Sequence, residues 1–192
     1  MVDLVETQSL RLYNQPIKIG KAIHLGCLSF LYFCGTIFDG TKTAIQNYDN
    51  MTIKEIQDSI VEDFSMFDDW MDRYAMLIEM GKECPIIDDK YRDEAHLING
   101  CQSRVWLNAE LKEGKVYYSA DSDAVITKGI VNLLIKVFSG QTPEDILAAD
   151  LSFLDKIGLK EHLSPTRSNG LLAMLKQMLL YAEAFKLKEE HA

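Results

Sequence analysis

No two cysteines in this chain have the Cys-x-x-Cys spacing of zinc ribbons and thioredoxin-like sites, although it carries four, at positions 27, 34, 84 and 101. HExxH, the phosphate-binding P-loop and the Rossmann glycine fingerprint are missing as well, which removes the common metal-hydrolase and nucleotide-binding classes. Positive charge is scarce: 20 basic side chains face 29 acidic ones, a formal charge of −9. A nucleic-acid partner needs clustered Lys and Arg, so that class is excluded. The longest apolar run, Ile23 to Phe38, has 16 residues and is broken by His24, Gly26, Ser29, Gly35 and Thr36. A membrane span needs about 20. Neither an internal repeat nor a low-complexity tract is visible.

What is present suits one soluble domain. The 192 residues are 47% hydrophobic and 26% charged, enough for a sizeable core and short for two domains. Four basic and four acidic residues fall in the first 50 positions, so the remainder holds the whole negative charge. Such an acidic surface favours solubility and can be steered toward a basic partner. Scattered cysteines in a chain of this size suggest reduced thiols and a cytoplasmic setting. Residues 1–50 look unlike the rest of the chain. Arg11, Lys18 and Lys21 precede the apolar run as in a secretory signal, but they are spread over a long lead and no clean cleavage site comes after it. The preferred reading is an extra N-terminal segment, 1–50, ahead of a working domain over 51–192 that starts at Met51.

From Met51 the spacing predicts alternating helices and a small hairpin. Ile53, Ile56, Ile60, Val61, Phe64 and Phe67 form a helical stripe. Asp68-Asp69 breaks and caps, and Trp70, Met71, Tyr74, Leu77 and Ile78 form a second stripe ending near Gly81. A loop opens at Cys84-Pro85 and runs past His96. Val105, Leu107, Ala109 and Leu111 then alternate as a half-buried strand, Glu113-Gly114 turns it, and Lys115 to Ser119 returns. Asp123 is placed to cap a nearly apolar helix, Val125 to Phe138, the expected centre of the core. Thr142-Pro143 and Ser164-Pro165 open two more helices. The last carries Leu171, Leu172, Leu175, Met178, Leu179 and Phe185 on its apolar face. Helices, a small antiparallel sheet, then helices make an α+β fold.

One stretch organises the chemistry: Asn99-Gly100-Cys101-Gln102-Ser103-Arg104-Val105-Trp106. Gly100 permits a turn, which places Cys101 at the tip of a loop entering the sheet. A free cysteine is more often a small buried hydrophobe than a reagent, so both readings of Cys101 stand on residues alone. Asp121 and Asp123 also have two readings, a helix cap at Asp123 or support for the cysteine loop, the cap being the primary one. Trp106 is expected to pack into the core beside the loop.

Four ordered blocks carry a resemblance. They are Gly100 to Trp106; Asp121-Ser122-Asp123-Ala124 with Lys128-Gly129; Thr142 to Ile146; and His162-Leu163-Ser164-Pro165-Thr166-Arg167-Ser168-Asn169-Gly170-Leu171. Together they resemble a SufE-type sulfur acceptor, the family that includes the CsdE proteins, over roughly Ile53 to Phe185. The resemblance implies an α+β fold similar to the IscU scaffold. It implies an accessory function: sulfur would pass from the persulfide of a cysteine desulfurase of SufS or CsdA type onto Cys101, then toward iron–sulfur cluster assembly on a downstream scaffold. Stimulation of the desulfurase is part of that expectation. Pyridoxal phosphate would belong to the partner, and this chain, monomer or homodimer, would hold no cofactor and no metal. Gly100, Gln102, Ser103, Arg104, Asp121, Asp123 and Arg167 are the expected loop supports or partner contacts. Arg104 and Arg167 are cations that could favour a Cys101 thiolate, but the preferred readings are a solvated side chain for Arg104 and a structural or partner-binding role for Arg167. His96, five residues before Cys101, could act as a base, though a loop histidine is more often incidental, and His162 receives no assigned chemistry. The rival reading is an iron–sulfur or metal-binding scaffold of similar fold, which would need three or more ligands.

Overall fold

The computed structural model describes residues 51–191. The expectations for residues 1–50, and for Met51 as the start of the chain, lie outside the described residues.

Thr52 opens the first helix, α1 (Ile53–Ser65), with a reciprocal capping box. Its hydroxyl accepts from the Glu55 N–H at 3.3 Å, and the Glu55 carboxylate accepts from the Thr52 N–H at 2.8 Å. Helix α2 (Trp70–Lys82) starts as expected at Asp69, whose carboxylate accepts from the Met71 N–H at 3.1 Å. A short 3₁₀ turn, Asp89–Tyr91, comes next. Then come the paired strands β1 (Val105–Lys112) and β2 (Lys115–Ser122), helices α3 (Val125–Phe138), α4 (Pro143–Ala148), α5 (Phe153–Lys156) and α6 (Leu159–His162), and the long α7 (Pro165–Glu190). This is the expected α+β arrangement, with a two-stranded antiparallel sheet among helices.

The hairpin turns on Glu113 and Gly114, both with positive φ (53° and 72°), so Lys112 faces Lys115 and the register of every later pair is set. β2 continues past the expected Ser119 to Ser122, opposite Val105. It can carry the charged Asp121 because Arg92 and Lys128 pair that carboxylate on both oxygens.

α3 is the centre of the core. Ile130, Val131, Leu133, Leu134, Val137 and Phe138 are buried, and only its first residue, Val125, is well exposed. α2 and α3 approach backbone to backbone. A Cβ at Gly129 would overlap the Leu77 carbonyl oxygen, and one at Gly81 would stand 2.9 Å from the Gly129 nitrogen. The Asn132 amide, buried beside this seam, donates to the Met80 carbonyl. Two apolar positions depart from their expected stripes: Met71 lies on the outer side of α2, and Leu172 is 56% exposed on α7. Trp106 is also corrected. It is half-buried on the face of β1 opposite Val105 and Leu107, which enter the core, because strand neighbours point to opposite sides. It stands opposite Asp121 and Leu97 rather than in the core.

Candidate functional site

Cys101 sits on a loop closed at its neck by backbone bonds. The Ile98 N–H donates to the Val105 carbonyl at 2.8 Å, and the Leu107 N–H to the His96 carbonyl at 3.0 Å. The Arg104 N–H donates to the Asp123 carboxylate at 3.0 Å, and the Asp123 N–H returns a bond to the Arg104 carbonyl at 3.3 Å. Asp123 is therefore not the cap of α3. The residue at the N-cap position is Ala124, with no side-chain cap bond, so Asp123 stands one residue too early for that role. Its carboxylate turns back to clamp the cysteine loop, the second of the two readings.

Asp121, two residues earlier, is buried at the end of β2. One carboxylate oxygen lies 2.7 Å from the Arg92 guanidinium, beyond the 3₁₀ turn, and the other 2.7 Å from the Lys128 ammonium on α3. Burial alone would raise this carboxyl. The Lys128 hydrogen bond, the Ser122 N–H and the charges of Lys128 and Arg92 outweigh it and hold the group below the usual carboxylate range. The strand end carrying the Asp123 clamp is thus tied to the loop before it and the helix after it.

At the tip, Gly100 has φ 96°, a conformation that side-chain-bearing residues resist, so its expected turning role holds. Cys101 is half-buried. Its thiol donates to the Gly170 carbonyl of α7 at 3.6 Å, a weak bond as S–H donors make. Burial pushes the thiol above its ordinary value, and neither Arg104 nor Arg167 offsets it. Cationic activation of the thiolate, the less favoured reading of both arginines, has no counterpart in this arrangement. Gln102 and Arg104 are exposed, while the Ser103 hydroxyl accepts from Thr127 at 3.5 Å and links the loop to the start of α3. Arg167 lies in the first turn of α7, three residues before Gly170 and so on the same side of the helix, where its charge bears on the Tyr74 hydroxyl.

His96 is held by Asp93 at 2.7 Å. His162 stacks on Trp70 with ring centres 3.9 Å apart, while the Tyr74 hydroxyl donates to the His162 carbonyl at 2.7 Å. Both are tied into local structure. Cys84 is buried, its thiol pushed up to about 12 mainly by desolvation, and it donates to the Ala120 carbonyl at 3.5 Å. Among the described residues, no group of three or more His, Cys, Asp and Glu side chains is placed to hold a metal ion. Among the same residues no helix is long and apolar enough to cross a membrane.

Sequence reading missed Arg92, Lys128 and Gly170 as partners of the site. Arg92 carries no local signal, since its partner lies in another element, and Lys128 is marked only by its place in the Asp121–Gly129 block of the resemblance. Gly170 does carry one: a glycine inside a helical pattern costs about 1 kcal/mol against alanine and invites a packing reason.

Comparison with known proteins decides the family. The model of the SufE Fe–S metabolism associated domain matches residues 58–182, most of the chain. The chain belongs to the SufE family. An uncharacterized SufE-like protein of Rhizobium meliloti is 37% identical over 131 residues, covering 66% of this chain and 94% of that protein. One from Synechocystis is 36% identical over 142 residues, covering 74% and 89%. The solution structure of a hypothetical protein from Thermus thermophilus superposes with a TM-score of 0.58 at 24% identity, covering 67% of this chain and 94% of the other, and shows the shared fold. Membership places this SufE-family chain in iron–sulfur metabolism.

Proposed function

We propose that this SufE-family protein is a sulfur acceptor whose working atom is Cys101 Sγ. The Cys101 thiolate attacks the terminal sulfur of a persulfide on a pyridoxal-phosphate cysteine desulfurase. The new S–S bond forms on Cys101 as the partner's S–S bond breaks, and the partner's cysteine leaves as a thiolate. The Cys101 proton is given up on the way to attack, and no external oxidant or reductant is consumed. A thiol of the downstream scaffold repeats the same exchange on the loaded Cys101 and carries the sulfur to cluster assembly.

The observation that carries this reading is the placement of Cys101. It lies half-buried at the tip of a loop that is anchored at its neck and at Ser103 and Arg104, while the sulfur itself is held by one weak S–H···O bond. A permanently buried cysteine such as Cys84, deep in the core with its thiol far above the ordinary range, could not meet a macromolecular partner. The raised Cys101 thiol also fits a carrier that is unreactive until docked, because a persulfide left in solvent is lost to free thiols. Docking would release the sulfur from α7 and bring in the partner's own charges. Arg167, on the Gly170 side of α7, and the exposed Arg104, three residues after Cys101, are cations that a partner's surface would meet.

Desulfurase turnover tests the proposal. Alanine production from L-cysteine by a cognate desulfurase should rise several-fold on adding the wild-type chain and stay at the basal rate with Cys101→Ser. Equal stimulation by both would refute Cys101 as acceptor.

A further inference from the structure

We infer that Gly170 is a positioning residue of the Cys101 site: its missing side chain forms the seat that holds the sulfur on α7. A Cβ built on Gly170 has Cys101 atoms as its three nearest neighbours, Sγ at 3.3 Å, Cβ at 3.8 Å and Cα at 3.9 Å. The glycine is buried in the second turn of α7, and its carbonyl accepts the Cys101 S–H. Gly100 lies over the next turn of the same face, where a Cβ on it would stand 3.7 Å from the Ala173 methyl. Residues 170 and 173 are three apart, so two loop residues lie along one strip of small side chains on α7. A glycine here lowers the stability of a long helix, and packing of the cysteine is what the position gains in return.

The seat defines two states of the loop. When seated, the sulfur is a thiol bonded to a carbonyl; when released, it is open to attack and to attacking. A methyl at 170 would stand 3.3 Å from Sγ, close enough to press the sulfur outward, and a larger side chain would press harder, so either shifts the balance toward release. This inference deepens the proposed function by naming what restrains the acceptor at rest.

Alkylation of the isolated protein by iodoacetamide, followed by peptide mass, tests it. Cys101 should react a few-fold faster in Gly170→Ala and about tenfold faster in Gly170→Val, the latter corresponding to a shift of about 1.4 kcal/mol in the seated–released balance. Ala173→Leu, which widens the same strip beneath Gly100, should accelerate it independently and serves if the valine variant does not fold. Buried Cys84 should stay protected in each. An unchanged Cys101 rate, or acceleration of Cys101 and Cys84 together, would overturn the seat. The labelling needs no desulfurase, so such a failure leaves sulfur transfer standing. Failure of the wild type to take up sulfur, with labelling accelerated as expected, would instead overturn the function.

Discussion

The α2–α3 seam and the α7 seat are both built on a missing side chain, and they differ in what holds them. At the α2–α3 seam, Gly81 and Gly129 let two backbones meet within the core, beside the buried Leu77 and Asn132. At the α7 seat, Gly170 lets a half-buried cysteine rest on a helix through one weak bond. The first contact is enclosed by core packing, and separating it means breaking the fold. The second lies at the edge of that packing, so it can open while the fold persists. Burial around a glycine, rather than the glycine itself, decides whether a close approach is permanent or reversible.

The same substitution at both places breaks the comparison most sharply. Gly129→Ala should cost about 3 kcal/mol or more by denaturant unfolding, at the upper end for overpacking, because the overlap is with the Leu77 backbone. Gly170→Ala should leave the unfolding midpoint nearly unchanged. Next in size is Asp121→Ala, which takes the carboxylate from Lys128 and leaves Arg92 the exposed Asp89 at 3.4 Å. We expect a loss of about 2 kcal/mol, less than for a fully buried pair because both cations keep some contact with solvent. The pH dependence has a fixed sign. Asp121 is lowered in the fold, so its contribution is full above the ordinary carboxylate value and is lost as pH falls through the folded value. Unfolding measured against pH should therefore show a shallower acid decline in Asp121→Ala.

Asp123→Ala removes the carboxylate that clamps Arg104, worth about 1 kcal/mol, and should raise Cys101 alkylation several-fold while helix content by circular dichroism stays constant. A loss of helix with no change in labelling would mean that Asp123 supports α3 after all. The smallest effect is the pH profile of Cys101 alkylation. Burial raises the seated thiol, so the seated form is favoured at low pH and lost as pH rises through its folded value. The rate should keep climbing above pH 8.5, about where a free thiol is half ionised, and the climb should move down in Asp123→Ala.

The elements that repeat a local pattern were legible in the amino-acid order. The apolar run Val125–Phe138 reads as a buried helix, Glu113-Gly114 as a two-residue turn, and Pro143 and Pro165 as first-turn residues. Gly100-Cys101 stood out as a loop tip, and it is one. Bonds between distant positions could not be read. Asp123 looks like a helix cap from its neighbours alone, but its partner is Arg104, 19 positions away. Gly170 and Cys101 are 69 positions apart. Trp106 shows a subtler limit: alternation assigns it to the face opposite Val105, whereas its size argues for the core, and alternation wins. Arg104 reads as a solvated side chain and is exposed, while the burial that raises the seated sulfur could not be read from its neighbours in the chain.

The central claim is that Cys101 receives sulfur, and intact mass tests it most directly. After incubation with a cognate desulfurase and L-cysteine, the wild-type chain should gain the mass of one or more sulfur atoms, removable by a reducing thiol, and Cys101→Ser should gain none. An equal gain in both, or no gain in the wild type with a desulfurase shown to be active, would contradict the account.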